Sequence, residues 1–322
     1  MRPTLLQSLL SAFCLAASLA QSAKAADELI TIADIGSGSA THWPSYIADA
    51  KGFFKAQGVA IEYIPTQSSA SVMQQISAGS VNMGGSGLVD AIRAIDKGAD
   101  VAIVRIESGP APYELFAKSS IKSFADLKGK TIMIGGIKDI TRIYVERMLT
   151  PNGVKPGDYD LVFAGATSAR FAALASGSID ATIIASPFNF KARSAGYTNF
   201  GSSVKYATDF PFAGFSVSRT WAKKNKAQID KFLAGYSAGV DWFYNPANKK
   251  EAVDILLKVA PTTNREDAEQ TFDFFTELRV YDRIGAVATS GIDNLIKIMK
   301  DQGELEGSTD VARFYDAAFA AK

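Results

Sequence analysis

Short apolar runs alternate with stretches of helical periodicity along most of this chain. Ile30–Ala33 reads as a strand, and Gly36-Ser37-Gly38-Ser39 as the loop after it. Pro44 suits the first turn of the next helix, where its missing N–H would lack a partner anyway. That helix runs to about Gln57 and stops at Gly58. Val59–Ile64 predicts a strand, Ser69–Ala78 a helix, Val81–Gly84 a strand, Leu88–Lys97 a helix and Val101–Ile106 a strand. The layout then repeats. Asp126–Lys130 opens the strand Thr131–Ile134, a helix and a second strand-helix unit follow, and Ser178–Pro187 contains another apolar run. Short strands alternating with helices predict an α/β protein, its sheets mostly parallel and covered by helices on both faces.

Two segments break this rhythm. Gly109–Pro112 and Pro211–Gly214 each precede an extended apolar stretch, Tyr113–Ala117 and Phe215–Ser218. Two such crossings predict a second lobe inserted into the first and joined to it by two hinge strands. The boundaries expected are 26–110 plus 217–322 for one lobe and 111–216 for the other. After Ser218 the pattern is helical, over Gln228–Tyr244, Lys249–Val259, Arg265–Leu278 and Gly291–Lys300.

Residues 1–25 change the picture. Arg2, the apolar run Leu5–Leu19 and Ala23-Lys24-Ala25 have the form of a cleaved export signal. Cys14, the sole cysteine, lies within it behind the bulky Phe13, so the expected mature chain has no disulfide, thiolate site or cysteine nucleophile. Cleavage leaves about 297 residues, large for one core and natural for two lobes. Losing Arg2 and Lys24 turns 34 basic and 33 acidic residues into a balance of −1. That is no electrostatic footprint for nucleic acid. No later stretch reaches the ~18 consecutive apolar residues of a membrane span.

In open α/β sheets, ligands bind beyond the carboxyl ends of strands, where free N–H groups of helix starts collect. Five loops have that position: Ser37–Trp43, Gly84–Gly87, Gly135–Arg142, Gly165–Arg170 and Ser186–Asn189. From them the candidate ligand contacts are drawn. Ser37, Thr41 and Ser186 are small hydroxyls, and Ser86, Thr141 and Ser168 are placed as hydrogen-bonding groups. Trp43 offers an apolar platform, beside His42, and Phe188 is a lobe-core or pocket-wall aromatic. Arg142, Lys138 or Arg170 would balance an anion. Catalytic signatures are thin: one histidine, no HExxH, no GxSxG, no P-loop and no GxGxxG after a strand. No cofactor or metal is expected.

The segments Pro44–Lys55, Ala91–Ala102, Ser123–Lys130, Arg170–Ala181 and Ser186-Pro187, in this order and spacing, resemble the periplasmic solute-binding proteins of nitrate, taurine and aliphatic-sulfonate ABC importers. The same superfamily includes binding proteins for thiamine-pyrimidine precursors. The resemblance implies a two-lobed periplasmic-binding-protein fold of type II, with ligand held between lobes that close on it. It carries Ser86, Gly87 and the loop Gly136–Arg142 over as ligand positions, and implies an ABC permease with its ATPase as partners of a monomer. Where family members place small residues at the second-lobe helix start, this chain has Asp139, which would cap the helix and repel an anion. A small organic anion is the expected ligand. The alternatives are a neutral or cationic thiamine-type pyrimidine, a receptor feeding a signalling protein, and an enzyme of this fold using His42.

Overall fold

The computed structural model describes residues 28–36, 39–283, 285, 289–316 and 318, so the expected export signal lies outside the described residues. Two five-stranded sheets organise the chain. The first has the order β2 (Val59–Thr66), β1 (Glu28–Ile35), β3 (Met83–Gly87), β10 (Ala213–Ser218), β4 (Val101–Ser108). The second runs β7 (Asp160–Phe163), β6 (Thr131–Ile134), β8 (Ala181–Ala185), β5 (Tyr113–Ala117), β9 (Thr198–Ser202).

Four strands of each sheet share a direction and one is reversed. The reversed strands are β10, antiparallel to β3 and β4, and β5, antiparallel to β8 and β9. Topology explains this. The other strands point their carboxyl ends at the cleft, whereas β5 and β10 have just crossed it and run away from it. Each of these two strands belongs wholly to one sheet, so the crossings are residues 109–112 and 203–212. The second therefore precedes Ala213, earlier than the boundary expected at 216/217, because Ala213–Ser216 pair with β3 and β4.

Helices α1 (Trp43–Ala50), α2 (Phe53–Ala56), α3 (Ser69–Ser77) and α4 (Leu88–Asp96) belong to the first lobe. The second carries α5 (Ile140–Leu149), α6 (Thr167–Ala175) and α7 (Phe188–Ser194). The helix expected to run unbroken to Gln57 is two, because Gly52 takes a left-handed φ of 72° between them. The chain then continues through α8 (Arg219–Lys224), α9 (Lys226–Phe243), α10 (Lys249–Val259), α11 (Arg265–Leu278) and α12 (Thr289–Asp301). Helices α9 to α11 pack an aromatic core onto the first lobe, with Phe232, Phe243, Phe272 and Phe275 buried around Trp43 and Phe215. Among the described residues no helix is long and apolar enough to cross a membrane.

Strand β3 reads Met83-Gly84-Gly85-Ser86-Gly87, a composition that argues against a strand until its neighbours are seen. A Cβ on Gly84 would lie 2.4 Å from Val72, and one on Gly85 2.4 Å from the His42 ring. Only glycine lets a helix and an imidazole lie this close to the sheet.

The lobes touch across the cleft. A Cβ on Gly165 of the second lobe would sit 2.3 Å from the Gln67 carbonyl of the first. Arg93 on α4 donates to the Lys138 carbonyl at 2.6 Å, and Phe190 meets Phe274 on α11 edge to face at 5.9 Å. This is a closed arrangement.

Candidate functional site

Between the lobes lies a cavity of about 360 Å³. Its walls are the ends of β1, β3 and β8, the starts of α3 to α7, and the Val259–Thr263 segment after α10. Of the sequence candidates, Thr41, His42, Ser86, Gly87, Asp139, Ser168, Arg170, Ser186 and Phe188 line it.

Four candidates do not, and each has another task. Trp43 is fully buried in the first-lobe core, its indole N–H donating to the Ala252 carbonyl at 3.0 Å between Phe243 and Phe272. Thr141 serves the loop before α5: its hydroxyl donates to Asp139 and accepts the Gly135 N–H at 2.8 Å. Arg142 turns outward to Glu146 at 2.7 Å, the ordinary i,i+4 pairing on a helix face. Lys138 is exposed and contributes its carbonyl to Arg93. Ser37 lies outside the described residues. Arg142→Ala should accordingly change ligand affinity by less than about two-fold, within the range usual for surface substitutions, as titration calorimetry would show.

Arg170 behaves differently from Arg142 although both stand in the first turns of helices. It is 1% exposed, and its guanidinium reaches back under the start of α6. Nε donates to the Ile183 carbonyl at 3.0 Å, Nη1 to the Ala164 and Gly165 carbonyls, and Nη2 to the Thr167 hydroxyl at 2.9 Å. The group also lies over the Tyr113 ring, 5.9 Å from its centroid. All these acceptors are uncharged, and among the described residues no carboxylate pairs with it. Above it α6 has Ala166 at its N-cap and no side-chain cap, which leaves its first N–H groups without a side-chain acceptor. A buried cation beneath an uncapped helix start favours a negative charge in the space it faces. Asp139 is the opposing term. It caps α5, its Oδ1 accepting the Thr141 N–H at 2.9 Å.

On the first-lobe wall stands His42, 6% exposed. Its Nδ1–H donates to Glu107 Oε1 at 2.7 Å, and Asp34 Oδ1 lies 3.7 Å from Nε2. Burial by itself would push the imidazole down. Glu107, through charge and hydrogen bond, and then Asp34 outweigh it and raise His42 to about 9. The ring is an imidazolium at neutral pH. Behind it Tyr46 donates to Asp34 Oδ2 at 2.6 Å.

Tyr113, Phe212 and Ser69 also line the cavity and were not among the sequence candidates. Tyr113 follows the first crossing and Phe212 ends the second, and the two pack edge to face at 5.4 Å. No local pattern marks them, since the contact exists only once both crossings are closed. Glu107 did leave a signal. A carboxylate in the otherwise apolar strand Val101–Ser108, with Arg105 two residues before it, is a buried charge in need of a partner.

Residues 39–249 match the family described as NMT1/THI5 like. The chain belongs to the NMT1/THI5-like family. A 4-amino-5-hydroxymethyl-2-methylpyrimidine phosphate synthase of Saccharomyces cerevisiae, THI13, is 30% identical to this family member over 145 residues, 44% of this chain and 42% of the yeast protein. The match thus spans less than half of that relative's length. Among solved structures, the alkanesulfonate-binding protein SsuA from Xanthomonas axonopodis pv. citri, bound to MOPS, superposes with a TM-score of 0.73 at 16% identity, over 90% of this chain and 97% of that one. The periplasmic nitrate-binding protein NrtA from Synechocystis PCC 6803 gives 0.73 at 14% identity, over 90% and 86%. This NMT1/THI5-like chain therefore has the two-lobed α/β fold of those periplasmic binding proteins.

Proposed function

We propose that the protein is the periplasmic substrate-binding component of an ABC importer, which captures a small organic anion between its lobes and delivers it to a permease. The observation that carries this reading is Arg170, buried on the cavity wall under an uncapped helix start and without a carboxylate partner among the described residues. Ser86, Ser168 and Ser186 line the same cavity and can supply hydroxyl donors. The fold shared with sulfonate- and nitrate-binding proteins supports the transport role. Export is the reading suggested by the signal expected over 1–25.

Micromolar binding needs only about 8 kcal/mol net, within reach of one buried charge and the apolar contacts of Tyr113, Phe188 and Phe212. Screening sulfonates and carboxylates by thermal shift tests the reading, since a ligand of the native state raises the melting temperature with concentration. Arg170→Gln should abolish the shift given by a binding acid, while circular dichroism reports that the variant still folds. A full shift in that variant would end the charge-clamp reading.

Asp139 in the wall, and the pyrimidine synthase named among the relatives, favour a second reading in which a thiamine-type aminopyrimidine is held. Its amino group would face the carboxylate. Stabilisation by aminopyrimidines alone would decide for it. We read the protein as binding its ligand without turnover, so ligand recovered after incubation should be chemically unchanged by mass spectrometry. A new product would move the reading to an enzyme.

A further inference from the structure

His42 lines the cavity, and its charge is already matched. Nδ1–H is committed to Glu107 at 2.7 Å. Among the described residues Nε2 makes no hydrogen bond, because Asp34 Oδ1 at 3.7 Å is too far. Gly85 and Glu107 hold the ring from behind: a Cβ on Gly85 would overlap Cε1 at 2.4 Å and approach Glu107 Oε2 at 3.0 Å. The imidazole therefore has no room to retreat from the cavity toward the sheet. Two carboxylates, Glu107 and Asp34, face the imidazolium, the buried Arg105 on the same strand also acts on Glu107, and Asp139 adds a further negative charge on the opposite lobe.

We infer that His42 sets ligand specificity by donating Nε2–H to an uncharged acceptor at the end of the ligand remote from its acid group. This rests on the anion-binding reading of the same cavity. The acid group belongs at Arg170 and the start of α6. The far end then carries a carbonyl, ether or hydroxyl oxygen or a ring nitrogen. A second acid group is disfavoured there, since Glu107, Asp34 and Asp139 repel it and the single imidazolium is already neutralised. A purely apolar far end is also disfavoured, because it leaves a buried N–H without a partner. The ligand class is thus a monoanion with a neutral hydrogen-bond acceptor, spanning the two lobes.

Proton bookkeeping gives the inference a signature of its own. Glu107 as a carboxylate only accepts, so when the imidazolium loses one proton the remaining one stays on Nδ1. Nε2 then changes from donor to acceptor, and the preference for an acceptor on the ligand disappears. His42 is the only histidine in the chain, so its ring signals can be read without overlap if the purification tag contains none.

The test uses two matched series in titration calorimetry: 4-methylbenzoate, 4-acetylbenzoate and terephthalate, and hexanoate, 5-oxohexanoate and adipate. At pH 7 the keto acid of at least one series should bind about ten-fold tighter than its methyl analogue, and the diacid no tighter than the methyl analogue. At pH 10, with folding checked by circular dichroism, the keto advantage should vanish. Nitrogen-detected NMR should show both ring N–H groups at pH 7 and a shift of Nε2 on adding the keto acid. Monoacids that bind with no keto advantage, diacids that bind best, or an Nε2 signal unmoved by ligand would each overturn the inference while leaving the anion-binding reading intact. If no acid of either series binds and no sulfonate raises the melting temperature, the anion-binding reading fails and this inference falls with it.

Discussion

Replacing Gly165 with valine should leave the ligand-free protein folded and weaken binding of any acid that the wild type holds by about a hundred-fold. The second lobe brings Gly165 against the first, where an added Cβ would stand 2.3 Å from the Gln67 carbonyl and 3.0 Å from the Ser68 Cβ. One of those atoms is backbone, anchored next to the Ser68 cap of α3, and cannot swing aside. The clash exists only while the lobes are together, so it taxes the closed state and spares the open one. Overpacking of this kind costs on the order of 3 kcal/mol, and that cost passes in full into apparent affinity when only the closed state holds ligand. Small-angle scattering would complete the test. Wild type should contract on saturation with ligand, and the variant should stay extended at the same concentration. A variant that binds and contracts like wild type would mean that the lobes do not need this contact to close.

Stability should fall as pH rises from about 4 to about 9, the reverse of ordinary acid denaturation. Two buried groups drive this. Asp90 is raised to about 7, by burial first and then by Asp139, with Arg93 offsetting part of it and Glu304 adding to it. Its contribution is complete below its unfolded value near 3.8 and is lost as pH rises through 7, about 4 kcal/mol by linkage. His42 is raised from 6.5 to about 9, where Glu107 and Asp34 overcome burial. Its contribution is complete below 6.5 and is lost as pH rises through 9, about 3 kcal/mol. Surface carboxylates held low by partners work in the opposite sense below pH 4. Asp180, bonded to Lys118 and the Thr131 N–H, is one of them. Maximum stability should therefore lie near pH 4–5. Urea unfolding at pH 4.5, 7 and 9.5 measures it, and Asp90→Asn should flatten the lower limb alone. A curve level or rising between pH 5 and 9 would show that neither group carries this charge.

How much of the site was legible is clearest in adjacent residues. His42 and Trp43 were both candidates, and only His42 faces the cavity. Consecutive residues at a helix start point about 100° apart, so the imidazole and the indole meet different neighbours. Which of them turned inward depended on α9 to α11, whose phenylalanines and the Ala252 carbonyl claimed the indole. Arg142 and Arg170 divide in the same way. Arg142 found Glu146 one turn along its own helix. Arg170 found only carbonyls and a hydroxyl beneath α6, in a space shaped by β8 and Tyr113.

Periodicity, proline and glycine placement are local, and they settled what is local: that the chain is α/β, that Lys249–Val259 and Arg265–Leu278 are helices to the residue, and that two segments leave one lobe for the other. Even there, the glycine-rich β3 extended past its expected end, because its reason is the close approach of Val72 and His42 from elsewhere in the chain. Tertiary structure alone decided the cavity. Glu107 and His42 are 65 residues apart and share a proton only after β4 and the α1 entry are packed together. Tyr113 and Phe212 meet only because both crossings run side by side. A ligand site made where separate strands end is a property of their assembly, since no stretch of sequence contains the distances between them.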